Sequence, residues 1–289
     1  MATLRDIKNR IKGVQNTQQI TKAMKMVAAA KLRRAQEAII NARPYTKKIS
    51  ELLSDLVTED DIQNNPFITP REVKNIAIVI VTADRGLCGA FNTNIIKEVA
   101  KIVEENSTGN TTPHLFCAGK KGFDFFSRRD YKIAGKVTGL FSSLDYTYAL
   151  NISQELIDGY LKGKFDKVII VYNEFKSVIQ QKIVNEQFLP IPLAAGTTEN
   201  HKDVNYIYEP DQKSIFNFLL PKHLKAQMWK ALLESNAAEL GARMTAMDNA
   251  TTNAKELIRT LKLKYNKERQ AAITKEILEI VSGANALAG

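Results

Sequence analysis

A glycine-containing turn with the sequence DRGLCGAFN lies at residues 84–92, directly after an apolar β-branched run. In an open α/β sheet, a glycine-rich turn after the first strand is the usual place for a bound dinucleotide. This turn lacks the G-x-G-x-x-G spacing, and Leu87 and Cys88 would crowd a pyrophosphate. The chain also has no GxxxxGK[ST] phosphate loop. We therefore interpret Gly86 and Gly89 as forming a tight turn against a neighbouring surface.

Histidine and cysteine side chains are too few and too scattered to predict a metal site or a catalytic centre. His114, His201 and His223 show no ligand spacing, so metal binding is not expected. No Ser/His/Asp or Cys/His arrangement is visible along the chain. Cys88 beside Arg85 leaves open an activated thiol, but a buried, inert cysteine is the favoured interpretation. These residues therefore indicate no catalytic site and no cofactor, although a Ser/His/Asp arrangement between residues distant in sequence stays open.

Positive charge is concentrated at the start of the chain. Residues 1–48 hold twelve Lys or Arg and two acidic residues, a net charge of +10 that equals that of the whole chain. A basic segment of this kind indicates an acidic partner, which is nucleic acid, an anionic lipid surface or an acidic protein. Residues 1–44 contain no aromatic residue, so base stacking has no platform there. No apolar run reaches the roughly 18 residues that a membrane-spanning helix needs.

The middle of the chain has the alternating pattern of a helix-and-strand domain. The continuous apolar run at residues 76–81 predicts a strand that is buried on both faces of a sheet. Other predicted elements are a loop at 59–72, helices at 94–105 and 148–161, and strands at 114–118, 167–172 and 179–188. The last strand is expected at an edge or antiparallel. The alternation predicts an open, doubly wound, Rossmann-like α/β domain.

Two long helical stretches frame that domain. Apolar residues recur at steps of three and four at both ends of the chain, at Leu4, Ile7, Ile11 and Val14, and at Ile273, Ile277, Ile280, Ala284 and Leu287. Helices of about 85 Å or more must pack along most of their length, so we predict that the two pair antiparallel as a coiled coil. The seam loosens in its middle, where Gln18, Thr21 and Thr251 replace Leu or Ile. Two interpretations remain, a weak coiled coil or a rod that is gripped by a surrounding partner.

Four segments, in fixed order over essentially the whole chain, resemble the ATP synthase gamma subunit family. They are QNTQQITKAMKMVAAAK at residues 15–31, DRGLCGAFN at 84–92, AELGARMTAM at 238–247 and RQAAITKEILEIVSGA at 269–284. Residues from about 100 to 190 resemble the family only in their general pattern of polar and apolar residues, so no site residue is carried over from them. The resemblance implies an N-terminal shaft helix at 1–58, a Rossmann-like foot domain at 73–195 and a C-terminal shaft helix at 209–287.

The resemblance also implies a function. Gamma subunits of this family form the non-catalytic central rotor stalk of F1Fo ATP synthase. Their helix pair sits inside a head of three alpha and three beta subunits, and the epsilon subunit and a membrane ring of c subunits hold the foot. Ion-driven rotation of the ring is thereby coupled to ATP synthesis, and no nucleic acid is involved. The alternative that the residues leave open is a basic coiled-coil adaptor for nucleic acid or an anionic membrane surface.

Partner contacts are implied residue by residue. The positions that resemble contacts with the alpha and beta head are Lys22, Met24, Lys25, Arg243, Arg269, Gln270 and Thr274. Those that resemble contacts with the membrane ring and epsilon are Lys31, Arg33, Arg34, Tyr208 and Glu209, within the segments 31–43 and 206–211. Basic residues on the first helix suit the acidic lever segment that beta subunits present in this family.

Two departures from some family members bear on location. The central domain has no inserted cysteine pair, so we do not expect the redox switch of chloroplast members. No clear presequence precedes the first motif, so we expect a peripheral protein at the cytoplasmic face of a bacterial inner membrane.

Overall fold

The computed structural model describes residues 3–107, 111–192 and 208–288, which belong to two compact units. The first unit comprises residues 1–28 and 244–289, and the second comprises residues 29–243. The predicted long terminal helices are confirmed as α1 (Leu4–Leu56, 53 residues) and α6 (Gln212–Ala288, 77 residues). At the usual rise per residue they measure about 80 Å and about 115 Å. No helix among the described residues is both long enough and apolar enough to span a membrane.

Shorter elements between the long helices form an α/β domain within the second unit. They are α2 (Glu59–Asn64), β1 (Asn75–Val81), α3 (Phe91–Ser107), β2 (Thr112–Ala118), α4 (Lys120–Phe126), β3 (Ile133–Val137), a 3-10 turn (Leu140–Ser142), α5 (Tyr146–Leu161), β4 (Lys167–Phe175) and β5 (Gln181–Leu189). The four predicted strands and two predicted helices are all present. The structure adds α4 and β3, whose short, glycine-containing sequences carry too little periodicity to be recognised.

The five strands form one sheet in the order β3-β2-β1-β4-β5. β1 to β4 run parallel to one another, and β5 pairs antiparallel with β4 at the edge, as the sequence predicts. Alternate residues of β1 enter two different cores. Ile78 packs in a cluster with α3, and Val79 packs in a cluster with α5 and with the second-unit parts of α1 and α6. The doubly wound, Rossmann-like fold is therefore confirmed.

The prediction of an uninterrupted loop at residues 59–72 is wrong, because α2 lies within it. Thr58 and Asp61 form a capping box, in which the Thr58 side chain accepts from Asp61 N and the Asp61 side chain accepts from Thr58 N. This reciprocal pair satisfies two amide groups at the helix start. The polar composition of the segment concealed this short helix.

Along α1, buried or half-buried side chains recur at alternating steps of three and four from Ile7 to Leu56. The positions are Ile7, Ile11, Val14, Gln18, Thr21, Lys25, Ala28, Leu32, Ala35, Ile39, Ala42, Thr46, Ile49, Leu53 and Leu56. The heptad register therefore continues past Val14 without a break. What changes in the middle is composition, because small and polar residues occupy the inward positions there.

In the first unit, the two helices pair antiparallel as predicted. Thr21 Oγ1 lies 2.8 Å from Thr251 Oγ1, and Lys25 Nζ lies 2.6 Å from Asp248 Oδ1. The α6 seam comprises Met247, Thr251, Ala254, Ile258, Leu261 and Tyr265, again at steps of four and three. If this pairing register is extended to the start of α1, Leu4 lies beside Glu268. Helix α6 therefore continues about 20 residues, or roughly 30 Å, beyond the start of α1.

The predicted seam from Ile273 to Leu287 is wrong as a contact within this chain. Ile273, Ile277 and Ile280 are 48%, 54% and 71% exposed, and Ala284 is also exposed. The physical reason is that α1 begins too late to cover this stretch of α6. The side chain of Leu287 lies outside the described residues.

The residue that follows β2, Gly119, must be glycine because the backbone at the end of β1 approaches it closely. Its N–H donates to Val137 O at 2.7 Å, while Thr82 N donates to Ala118 O at 2.8 Å. Its φ is +112°, and a Cβ on it would lie 1.9 Å from Thr82 O. Gly163 has a φ of +72° but open space around it, with no atom within 4 Å.

We predict that Gly119→Ala lowers the free energy of unfolding by more than about 3 kcal/mol, because the clash is with backbone. The matched variant Gly163→Ala carries only the left-handed backbone penalty of about 1 kcal/mol. Fluorescence of Trp229, the single tryptophan of the chain, reports the urea midpoint of the second unit. Equal midpoints for the two variants would contradict this interpretation.

Candidate functional sites

Asp84, in the turn after β1, holds the ends of three neighbouring strands together. Its Oδ1 accepts from the backbone N–H groups of Lys120 at 3.1 Å and Gly139 at 2.8 Å, and its Oδ2 accepts from Phe141 at 3.2 Å. These three groups lie in the connections that follow β2 and β3. One carboxylate with three amide donors is a strong, charge-assisted arrangement. Asp84 thus fixes the shape of the turn.

Cys88, in the same turn, is buried and unreactive. Asn92 Nδ2 donates to Cys88 Sγ at 3.1 Å, and Asn92 Oδ1 accepts from Ala83 N at 2.9 Å. Burial, with a smaller contribution from the charge of Glu239, raises the pKa of Cys88 to about 11. Burial raises the pKa of Cys117 to about 12. Both thiols stay protonated at neutral pH, which agrees with the interpretation of inert cysteines.

Helix α6 fills the crevice in which a doubly wound fold would bind a ligand. That crevice, here called the strand-end crevice, lies at the carboxyl ends of β1 and β4, where the strand order reverses. Ala238 of α6 is fully buried there against Ala83, Cys88 and Phe91. A Cβ on Gly241 would lie 3.3 Å from Val178 O, so glycine permits this close approach. The neighbouring surface expected for the glycine turn is therefore α6.

Glu239 and Arg243 join α6 to the turn after β1. The Glu239 carboxylate accepts from Arg243 Nε at 2.9 Å and from Arg243 Nη2, and Arg243 Nη1 donates to Gly86 O at 2.8 Å. Their side chains are 5% and 15% exposed. Burial raises the pKa of Glu239, and the charge of Arg243 partly offsets that rise. The arginine that the sequence assigned to the alpha and beta head is thus engaged within its own unit, and the head contact stays a prediction.

Glu234 joins three elements and was missed by the sequence analysis. Its Oε1 accepts from Arg43 of α1, at 3.0 Å from Nε and 2.8 Å from Nη2. Its Oε2 accepts from the backbone N–H of Phe175, at the end of β4, at 3.1 Å. The Glu234 side chain is 1% exposed. The available signal was an acidic residue directly after the apolar run Ala231–Leu233 of a long predicted helix.

Three predicted head contacts lie on α1 in the first unit. Lys22 is exposed, and Met24 and Lys25 are half-buried. Lys25 forms the ion pair with Asp248 described above, with side chains that are 39% and 52% exposed. A pair this exposed contributes about 1 kcal/mol or less, so Lys25 remains available to an acidic partner.

Three further predicted head contacts lie on the part of α6 that α1 does not cover. Arg269, Gln270 and Thr274 are all exposed. They follow Tyr265, the last position of the α6 seam. The structure therefore groups them with the exposed apolar side chains of the same stretch.

The predicted contacts with the membrane ring and epsilon fall into two groups within the second unit. Lys31, Arg33 and Arg34 are exposed on α1. Glu209 is exposed, whereas Tyr208 is half-buried and packs against the larger core cluster. Residues 206 and 207 of that predicted segment lie outside the described residues, and residues 210 and 211 are exposed.

Metal binding has no support in the part of the chain that the structure describes. Within residues 3–107, 111–192 and 208–288, no three His, Cys, Asp or Glu side chains come together as a metal site would require. Burial lowers the pKa of His114 and that of His223, so both are neutral at physiological pH. His201 lies outside the described residues.

Comparison with known sequences matches the whole chain to one family. The family model described as ATP synthase matches residues 3–287. The ATP synthase gamma chain of Chlorobium phaeobacteroides is 53% identical over 293 residues, covering 100% of both chains. That of Prosthecochloris aestuarii is 53% identical over 295 residues, again covering 100% of both.

Solved structures with a similar fold come from the same kind of assembly. The chain resembles one in the central stalk and c-ring of Tetrahymena thermophila mitochondrial ATP synthase, with 25% identity, a TM-score of 0.60, and coverage of 80% of this chain and 99% of that one. A chain of Euglena gracilis mitochondrial ATP synthase in rotational state 3 shares the fold, with 21% identity and a TM-score of 0.70. The match covers 98% of this chain and 94% of that one. From the fold and these full-length matches, the chain belongs to the ATP synthase gamma chain family.

Proposed function

We propose that this chain transmits torque between a membrane ring of c subunits and an alpha and beta head, with the α/β domain as its foot and the helix pair as its shaft. As a member of the gamma chain family, it is the central stalk subunit of ATP synthase and is not itself catalytic. The alternative of a nucleic-acid adaptor finds no support in its relatives.

The observation that carries this proposal is the uncovered end of α6. Ile277, Leu278, Ile280 and Val281 are each 50% or more exposed. A helix of roughly 30 Å with apolar side chains on its surface is not stable alone in water, and it indicates a surrounding protein sleeve. An alpha and beta head would supply that sleeve, with Arg269, Gln270 and Thr274 as polar contacts at its rim.

Lys22, Met24 and Lys25 are proposed to contact the beta lever segment. Lys22 is exposed, and Lys25 is held by a weak ion pair. An acidic segment passing this surface can exchange with Asp248 at little cost, because solvent screens a half-exposed pair. Contacts that form and break easily suit a shaft that turns inside its sleeve.

The foot contacts and the location are proposed together. Lys31, Arg33 and Arg34 are exposed cations, and we assign them with Tyr208 and Glu209 to the ring and the epsilon subunit. The described residues contain no helix that could span a membrane. We therefore propose peripheral attachment through the ring, at the cytoplasmic face of a bacterial inner membrane.

The double variant Arg269→Ala with Gln270→Ala should weaken binding of the chain to the head by about tenfold, the effect of losing about 1.4 kcal/mol of contact energy, and should thereby lower ATP-driven proton pumping in membrane vesicles. Both residues are exposed, so the circular dichroism melt of the isolated chain should not change. Lys255→Ala with Glu256→Ala, two exposed positions on the same helix, is the matched control. Pumping at the level of this control would contradict the assignment.

Ile280→Asp should change the stability of the isolated chain by less than about 0.5 kcal/mol, because the site is exposed. It should nevertheless reduce co-purification with alpha and beta subunits, because it introduces a charge into an apolar sleeve. Leu261→Asp, at a position 8% exposed, should instead destabilise the isolated chain. Wild-type recovery of the head with Ile280→Asp would count against a sleeve around α6.

A further inference from the structure

The segment of α6 that crosses the second unit is buried around its whole circumference. Between Ala231 and Leu240 every side chain is buried except Asn236, which is half-buried. Most of these residues are alanine and leucine, whose side chains form no hydrogen bonds. Apolar packing is not directional, so hydrogen-bonded side chains would add to the resistance that close packing offers to rotation of the helix.

Glu234 is one of the two carboxylates that supply directional bonds in this mostly apolar segment. Its two oxygens are used in different directions, one toward Arg43 of α1 and the other toward the backbone of Phe175 in β4. A buried carboxylate is costly unless every bond it makes is well formed, so its position is tightly defined. The three elements are therefore tied at a single point.

Glu239, the second carboxylate of this segment, also anchors α6 to the α/β domain. Glu239 orients Arg243, whose Nη1 reaches Gly86 O in the turn after β1. β1 and β4 are neighbouring parallel strands, so the two carboxylates anchor α6 to adjacent strand ends across the strand-end crevice. Two anchors, five residues apart on the helix, oppose both rotation and sliding.

We infer that Glu234 is a torque lock, a positioning residue that makes the α/β domain and the second-unit parts of α1 and α6 turn as one body. This inference rests on the proposed function, because a lock matters only if torque passes between foot and shaft. Arg43 is its partner for a geometric reason. The planar guanidinium donates two N–H groups to one oxygen, which a lysine ammonium on a flexible stem does not reproduce.

The test measures the torsional stiffness of the rotor in the assembled complex. The head is fixed to a surface without ATP, and a probe is attached through Lys97→Cys, an exposed position on α3. Angular fluctuations of the probe then report how firmly the foot follows the shaft. Glu234→Gln keeps an oxygen for the Phe175 amide but removes the charge that holds Arg43. Glu268→Gln, at an exposed position of α6, is the matched control.

The expected result is a larger angular variance for Glu234→Gln than for wild type, with Glu268→Gln unchanged. A purely structural role would lower the yield of complex and the urea midpoint from Trp229 fluorescence, but would leave the variance of folded complexes unchanged. That outcome would overturn the lock. If complexes with Glu234→Gln do not assemble, the angular variance is measured for Arg43→Lys instead. This variant keeps the positive charge and loses the two-donor geometry, so the same increase in variance is expected. Failure of the wild-type chain to form a head complex would instead overturn the proposed function.

Discussion

The passage of α6 through the strand-end crevice is the constraint on which the rest of the second unit depends. A doubly wound sheet normally leaves this crevice open to a ligand. Here Ala238 and Gly241 allow the helix to approach the strand ends closely, and Glu234 and Glu239 provide directed bonds across them. A site that other proteins use for binding has become a joint between a domain and a helix.

The same helix has very different surroundings along its length. It is buried on all sides near Leu232, forms one seam near Ile258, and is exposed on every side near Ile280. This gradient explains why composition near the C-terminus resembles a coiled coil although α1 does not cover it. Under the proposed function, the exposed apolar residues there contact partner subunits, and their burial would be completed in the assembly.

Local patterns made much of the fold predictable. The continuous β-branched run of β1 is typical of a strand that is buried on both faces of a sheet. The heptad spacing of α1 continues even where the polar residues Gln18 and Thr21 occupy the inward positions. The seam from Ile273 onward was misassigned because periodicity identifies a contact face without identifying its partner. Glu234 was missed because its role depends on contacts with β4 and α1, two elements that are far from it and from each other in the sequence. The candidate contacts came from family resemblance. Most of them are exposed, but Met24, Lys25 and Tyr208 are half-buried, and Arg243 is engaged within its own unit.

ATP-driven rotation tests the rotor function most directly. Ile179 is 84% exposed and lies between β4 and β5, while Cys88 and Cys117 are buried, so a probe on Ile179→Cys labels the α/β domain selectively. With the head fixed to a surface, ATP should drive continuous rotation of that probe in one direction. A stationary probe in complexes that continue to hydrolyse ATP would contradict the assignment of this chain as the rotor.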